Sequence, residues 1–527
     1  MTEQDLAQIA AACDRVLRAP GTSVGRVAVP MLHVINEHPG WICQYAPLFP
    51  SAGSGAGRIA APSARLTDSA RAIIRSGRAL MRSLRSQLEA QPWAGKDTDR
   101  VPVTASGSPG DGPAQPPVDV LIVSHLCSTA QLDSENDFYF GGLQKLLQER
   151  GLTSTRLFVN HLAGNSRSAA ILASRSVHQR FLLSQTAPPW DEARIWGRCA
   201  RARHELQQIA TQAKIPLDRA IATLASRHAL SWGTAANLRL HNAIAGFCSS
   251  LNPRIVITTY EGDACERIIW HAARSSDRRP LCVGYQHTRV LRLAHAIRRC
   301  VDAPGFHCDP DVILTLGEVS HEDLAASVGL RSVSLIPFGS HRHTGSPVQL
   351  REGGGTRSCL VLPDAHECEC TLLFEFAVAC ALRNPDMTFT LRPHPLVDLS
   401  ALLSRHHWLR SLPANATLSC GTTLEQECAR ASYCLYRGSS AVTAAVIAGV
   451  RPLYLKRSGE LSFDPLFALP EWRLAVSSPA EFRARVLMAE GSREPESARR
   501  AASFCRRYVA PVREAAIDEL LMMAARR

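Results

Sequence analysis

Met387-Thr388-Phe389-Thr390-Leu391 runs directly into Arg392-Pro393-His394-Pro395, and Tyr433-Cys434-Leu435-Tyr436 runs into Arg437-Gly438-Ser439-Ser440. Ala441 to Ala448 then reads as a helix, Gly449 as its stop, and Arg451-Pro452-Leu453-Tyr454-Leu455-Lys456 as another strand. Strand, Gly-Ser-Ser turn, helix, glycine stop, strand is a βαβ unit. Parallel strands joined this way lie in sheets covered by helices on both faces. Ligands of such sheets sit outside the carboxyl ends of the strands. A helix start offers unbonded backbone N–H groups, and with two hydroxyls beside it suits a phosphate. Arg392 and His394 would arrive from the neighbouring strand end. A phosphorylated ligand is therefore expected here.

Working outward, the same alternation recurs. Val118–His125, Thr155–Asn160, Arg254–Tyr260, Pro280–Tyr285 and Val312–Gly317 are short apolar runs that predict buried strands. Helices are expected at Leu143–Arg150, from Ala264 to Arg274 and from His321. A Gly-, Ser- and His-rich break covers 339–355, and a fresh strand begins at Ser358. Strands alternating with helices in two blocks predict two doubly wound α/β domains facing a cleft. The first is expected over 118–345 and the second over 346–527. Residues 95–117 are rich in Gly, Pro, Ser and Asp and read as a linker. Residues 1–94 then form a mainly helical appendage.

The chain has 527 residues, enough for such cores, with 46% hydrophobic and 20% charged residues. No apolar run reaches the roughly 18 residues of a membrane span. The N-terminus is acidic and polar, so a cytoplasmic protein is expected. The formal charge is +12, and the basic residues are mostly arginine. A GC-rich coding sequence accounts for this as well as attraction to nucleotide phosphates, acidic sugars or an anionic inner-membrane face. No dense Lys/Arg tract is present and aromatics are only 6%, so nucleic acid is not expected as a partner. Seventeen cysteines are scattered through apolar segments and read as buried thiols. Cys368 and Cys370 beside His366 lack the further ligands of a metal site, so neither metal nor cofactor is expected.

Pro393 and Pro395 restrict His394 and fix its direction. Its expected role is to bind and protonate a leaving phosphate; a surface loop ending a strand is the plainer alternative. Gly438, Ser439 and Ser440 also fit an ordinary N-cap. Glu261 ends a strand before Gly262, where a carboxylate suits a general base for an acceptor hydroxyl. An acid favoured by the following helix's dipole fits equally. Glu266 reads as structural. Gln286 and His287 end another strand and are candidates for acceptor contact or for a satisfied loop. Glu367 is a candidate for a ribose hydroxyl pair, though the acidic first turn of a helix also explains it. Asp137, in Asp137-Phe138-Tyr139-Phe140-Gly141, is a candidate acceptor contact or a packing residue.

These motifs together resemble a known group. The His-Pro and Ser-Ser motifs in a two-domain GT-B arrangement resemble bacterial sialyltransferases and capsule Kdo transferases. Asp137–Gly141, Tyr260-Glu261-Gly262, Tyr285-Gln286-His287, Arg392–Pro395 and Gly438–Ser440 are similar to a family of bacterial surface-carbohydrate biosynthesis proteins. The resemblance covers roughly residues 118–460, with a weaker echo at Leu32–Pro39. It implies a GT-B glycosyltransferase with a CMP-linked nonulosonic acid as donor and a glycan or lipid-linked glycan as acceptor. It further implies that Glu261 is the base and that His394, Ser439 and Ser440 contact the CMP phosphate. The sialyltransferase motif has two acids before its glycine; here Tyr260 stands in place of the first. A UDP-sugar or CDP-glycerol donor, and a catalytically silent scaffold in glycan assembly, are the alternatives.

Overall fold

The computed structural model describes residues 1–34, 36–48, 117–128, 131, 136–161, 180–341, 357–491 and 495–527. Its strands form two sheets, and every neighbouring pair in them is parallel. The first contains β1 (Val120–Leu126), β2 (Ser154–Asn160), β3 (Arg180–Leu182), β4 (Ile255–Thr259), β5 (Leu281–Tyr285), β6 (Val312–Thr315) and β7 (Ser334–Pro337). Its order is β3-β2-β1-β4-β5-β6-β7. The second contains β8 (Ser358–Leu362), β9 (Thr388–Leu391), β10 (Ala416–Leu418), β11 (Tyr433–Tyr436), β12 (Arg451–Leu455) and β13 (Leu474–Val476). Its order is β10-β9-β8-β11-β12-β13.

Central strands are buried along their whole length: β4, β5, β11 and β12 have no exposed residue. That is why they read as unbroken apolar runs. Each sheet carries apolar cores on both faces, because successive side chains of a strand point opposite ways. Leu121, Val123 and Val256 belong to one core of the first sheet, and Val120, Ile122 and Ile257 to the other. In both sheets the winding reverses beside the first strand, between β1 and β4 and between β8 and β11. Crevices open at such reversals. The two sheets bring their carboxyl ends to one shared cleft, the GT-B-like arrangement expected from the sequence.

The ends of the chain do not follow the expected division. Leu6, Ile9, Cys13 and Val16 of the first helix, Glu3–Leu17, share one core with Ile195, Leu206, Ile221 and Ala225. Residues 1–34 and 36–48 thus belong to the helical layer of the first body and are no appendage to it. The amphipathic stripe of Glu3–Leu17 needed an apolar partner, and the helices Pro189–Gln212 and Pro216–His228 supply it. The last helix, Ala515–Ala525, also returns to the first body. Ala516, Ile517 and Leu520 pack on Val120, Ile122, Ile257 and Val283. Residues 49–94 of the expected appendage and residues 95–116 of the expected linker lie outside the described residues. All seventeen cysteines are free thiols.

Candidate functional site

On the second body the site begins where β9 ends. Arg392 N–H donates to Val361 O at 3.1 Å, which holds the strand end against β8. The Arg392 guanidinium turns to Glu427 at 2.8 Å and to the Thr422 carbonyl at 2.9 Å. Its charge is therefore already compensated. Beyond Pro393, the Leu396 N–H donates to His394 Nδ1 at 3.2 Å. That bond needs a lone pair on Nδ1, so the neutral ring carries its proton on Nε2. His394 is in this way set up as an Nε2–H donor.

The β11 turn stands beside it. Ser439 is buried and Ser440 exposed. The helix begins at Val442, later than the sequence suggests, and runs only to Ile447. The Ser440 carbonyl accepts from Thr443 N at 3.2 Å and Thr443 Oγ1 at 2.7 Å. Gly438 is required by close approach: a Cβ there would stand 2.7 Å from the Phe463 ring and 3.2 Å from Asp364 Oδ2.

On the first body, Glu261 and Gly262 leave β4. Glu266 accepts from the N–H groups of Glu261, Gly262 and Asp263 at 2.8 to 3.0 Å. It fixes the loop, the structural role expected for it. Gly262 has φ +89°, and a Cβ there would lie 2.3 Å from the Ala296 backbone, so only glycine fits after Glu261. The Glu261 carboxyl lies 3.4 Å from His287 Nε2. Burial, reinforced by the nearby Asp263 carboxylate, pushes it up to about 7 against a hydrogen bond from Thr288. The Tyr139 ring stands edge-on to His287 at 4.9 Å. Behind it, His125 Nδ1 meets His161 Nε2 at 2.9 Å, and His125 Nε2 meets Thr259 Oγ1 at 3.1 Å. Burial drives His125 down to about 3, so this pair is uncharged at neutral pH.

The two walls enclose a cavity of about 300 Å³. Phe138, His287, Thr288 and Arg289 line it from the first body; Arg392, His394, Glu425, Ser439 and Ser440 line it from the second. Of the residues expected from sequence, Arg392, His394, Ser439, Ser440 and His287 come together here. Glu261 stands behind His287, and Gly438 supports the turn.

Three expected residues do not join them. Asp137 is 5% exposed; it accepts from Tyr139 N at 2.7 Å and Phe140 N at 2.9 Å and faces Arg156 at 3.6 Å. It holds its own loop, the packing role. Gln286 is fully buried, and its Oε1 accepts from Leu316 N at 2.9 Å, tying the β5 end to that of β6. Glu367 pairs with Arg405 at 2.8 Å and His406 at 3.4 Å. It lines a larger hollow, about 840 Å³, that runs along the helix Glu367–Arg383. Glu367 does not line the cleft cavity.

Sequence reasoning missed a cluster beside Gly438. His38 Nε2 lies 2.6 Å from Asp364 Oδ2, His366 Nδ1 lies 3.3 Å from Asp364 Oδ1, and the two imidazoles stack at 4.6 Å. The three side chains could converge on a cation. However, Gly40 N–H donates to His38 Nδ1 at 2.9 Å. The His38 proton is therefore on Nε2 and donates to Asp364, leaving no lone pair there for a metal. The stretch Leu32–Pro39 was legible as part of the resemblance; its partner in the second body was not.

No family model matches the chain, and no curated protein does. Solved structures with a similar course of chain include a glycotransferase of kitacinnamycin, at 13% identity and a TM-score of 0.45, covering 77% of this chain and 99% of that one. A UDP-GlcNAc 2-epimerase from Neisseria meningitidis bound to UDP-GlcNAc gives 12% identity and 0.44, over 77% and 100%. The glycosyltransferase SnogD from Streptomyces nogalater gives 17% and 0.41, over 77% and 99%.

Proposed function

We propose that this protein is a metal-independent glycosyltransferase of bacterial surface polysaccharide assembly that moves a nonulosonic acid from a CMP-activated donor to a glycan acceptor. The observation that carries this reading is the cavity between the two sheets. On one side it has His394, Ser439, Ser440 and Arg392, and on the other His287 with Glu261 behind it. The second body takes the nucleotide and the first takes the acceptor.

In this reading the acceptor hydroxyl attacks the anomeric carbon of the donor as the bond from that carbon to the phosphate oxygen breaks. The hydroxyl proton passes to His287, which faces the cavity, and on to the Glu261 carboxylate. A carboxyl poised near 7 accepts a proton at neutral pH without holding it irreversibly. The departing phosphate gains negative charge, which the His394 Nε2–H and the Ser439 and Ser440 hydroxyls stabilise. Arg392, held by Glu427, orders the β9 end that carries His394.

Nucleotide preference tests the donor. Thermal shift against CMP, UDP, CDP and GDP should favour CMP. A ligand at a hundred times its dissociation constant adds about 2.7 kcal/mol. A shift with UDP and none with CMP overturns the nonulosonic acid assignment. Donor turnover by the protein with a glycan acceptor separates an enzyme from a silent scaffold.

A further inference from the structure

The loop that leaves β5 carries Arg289 into the cleft wall. The backbone on either side of it is held firmly. Gln286 takes the Leu316 N–H, and Val290 N donates to Tyr508 Oη at 2.8 Å while the Tyr508 hydroxyl bonds the Val290 carbonyl at 3.2 Å. Arg289 itself is 6% exposed. Its guanidinium lies over the Tyr508 ring at 4.4 Å, and Nη1 donates to Pro465 O of the second body at 2.9 Å. Among the described residues, Nε and Nη2 find no hydrogen-bond partner.

Those two nitrogens form one edge of the guanidinium. It is the edge that grips two oxygens of a carboxylate or phosphate side by side. Leaving it unpaired and buried is costly. Arg392, the other arginine of the cavity, is in a different state, since Glu427 already neutralises it. Among the described residues that line the cavity, Glu425 is the one carboxylate. Arg289 thus stands at the cavity wall as a cation with no ion-pair partner among the described residues.

We propose that Arg289 is the residue through which the first body holds an oxyanion of the donor, its phosphate or its sugar carboxylate. This rests on the sugar-nucleotide reading above. Nε and Nη2 are closed to solvent in the present arrangement and the loop is pinned at Val290, so the anion meets them through a shift of one body against the other.

The test compares the full-length protein with Arg289→Met and Arg289→Lys. Melting temperature is measured without ligand, and affinities for cytidine, CMP, CMP-sialic acid and inorganic pyrophosphate by calorimetry. Arg289→Met replaces an unpaired buried charge with an apolar chain, so its melting temperature should equal or exceed that of wild type. Cytidine affinity should be unchanged. CMP and pyrophosphate should bind ~10- to 100-fold more weakly if the phosphate is held; CMP-sialic acid alone should weaken if the carboxylate is. Arg289→Lys keeps the charge without the fork and should recover part of the loss. A lower melting temperature with wild-type affinity for CMP, CMP-sialic acid and pyrophosphate overturns the proposal and leaves Arg289 a packing residue. Should Arg289→Met not fold, Arg289→Gln carries the same comparison. If wild type prefers another nucleotide to CMP, only the donor assignment falls; pyrophosphate, which has neither base nor sugar, still decides the role of Arg289.

Discussion

His38 donates to Asp364 at 2.6 Å, although 326 positions separate the two residues. The neighbouring Glu37 accepts from Leu293 N–H at 3.0 Å. One short turn near the N-terminus therefore holds a loop of the first body with one residue and the base of the Gly438 turn with the next.

This contact predicts an acid-sensitive stability. Burial alone would raise the Asp364 carboxyl, but hydrogen bonds from His366 and His38 outweigh it and hold it well below the usual range. A depressed carboxyl stabilises the fold above the unfolded value near 4 and stops doing so as pH falls through the folded value. Asp364→Asn should cost about 1.5–3 kcal/mol at pH 7. In denaturant titrations the gap from wild type should narrow as pH drops below about 4. A gap that stays constant down to acid pH would show that the charge of Asp364 is irrelevant.

Glu261→Gln should slow transfer by roughly a hundred- to ten-thousand-fold while leaving nucleotide affinity near that of wild type. The wild-type rate should rise with pH through about 7, because the base must be ionised, and the variant should lose that step. Stability runs the other way. A raised carboxyl stabilises the fold fully below the unfolded value, and that contribution is lost as pH climbs through the folded one. Glu261→Gln should therefore gain on wild type as pH rises from about 4.5 to about 7, and hold that gain above it. A variant that loses nucleotide and keeps its rate removes the base, and with it the placing of the acceptor on the first body.

His394→Ala should abolish transfer and weaken nucleotide binding without unfolding the protein, since the ring is partly exposed at a strand end. Ser439→Ala with Ser440→Ala should loosen the nucleotide by about 0.5–1.5 kcal/mol per hydrogen bond. Full activity in His394→Ala would take the donor away from this turn.

Removal of residues 1–48 should leave the rest of the chain insoluble. It strips Leu6, Ile9, Val16 and Leu32 from a core they share with Ile195 and Ile221, and single large-to-small changes in such cores already cost about 2–5 kcal/mol. Soluble yield and a melting transition check this. A soluble truncated protein with one sharp transition would mean that the helices Pro189–Gln212 and Pro216–His228 hold their core without residues 1–48.

The sequence made the central strands plain and hid the edges. β1, β2, β4, β5, β6, β8, β9, β11 and β12 are apolar runs where expected. The four that escaped, β3, β7, β10 and β13, are the four sheet edges, three or four residues long. An edge strand covers less core and needs fewer apolar residues, as the mixed burial of Ser334–Pro337 shows. At the site, Arg392, His394 and the serine pair were legible because strand ends and turn chemistry announce them. Arg289 was not, because its distinction is the lack of a partner, a property of the assembled fold. Asp137, Gln286 and Glu367 lie outside the cavity for the converse reason: polar residues of loops, strand ends and helix starts also serve to hold their neighbours in place.

The return of Ala515–Ala525 to the first sheet has a consequence for how the protein is made. A ribosome releases β1 through β7 long before the helix that covers Val120, Ile122 and Val283 exists. The second body can complete itself during synthesis, while one face of the first stays partly uncovered until Ala515–Ala525 emerges. A premature stop shortly before Ala515 would spare the half of the molecule it lies next to in sequence. The half made earliest would be the one to fail.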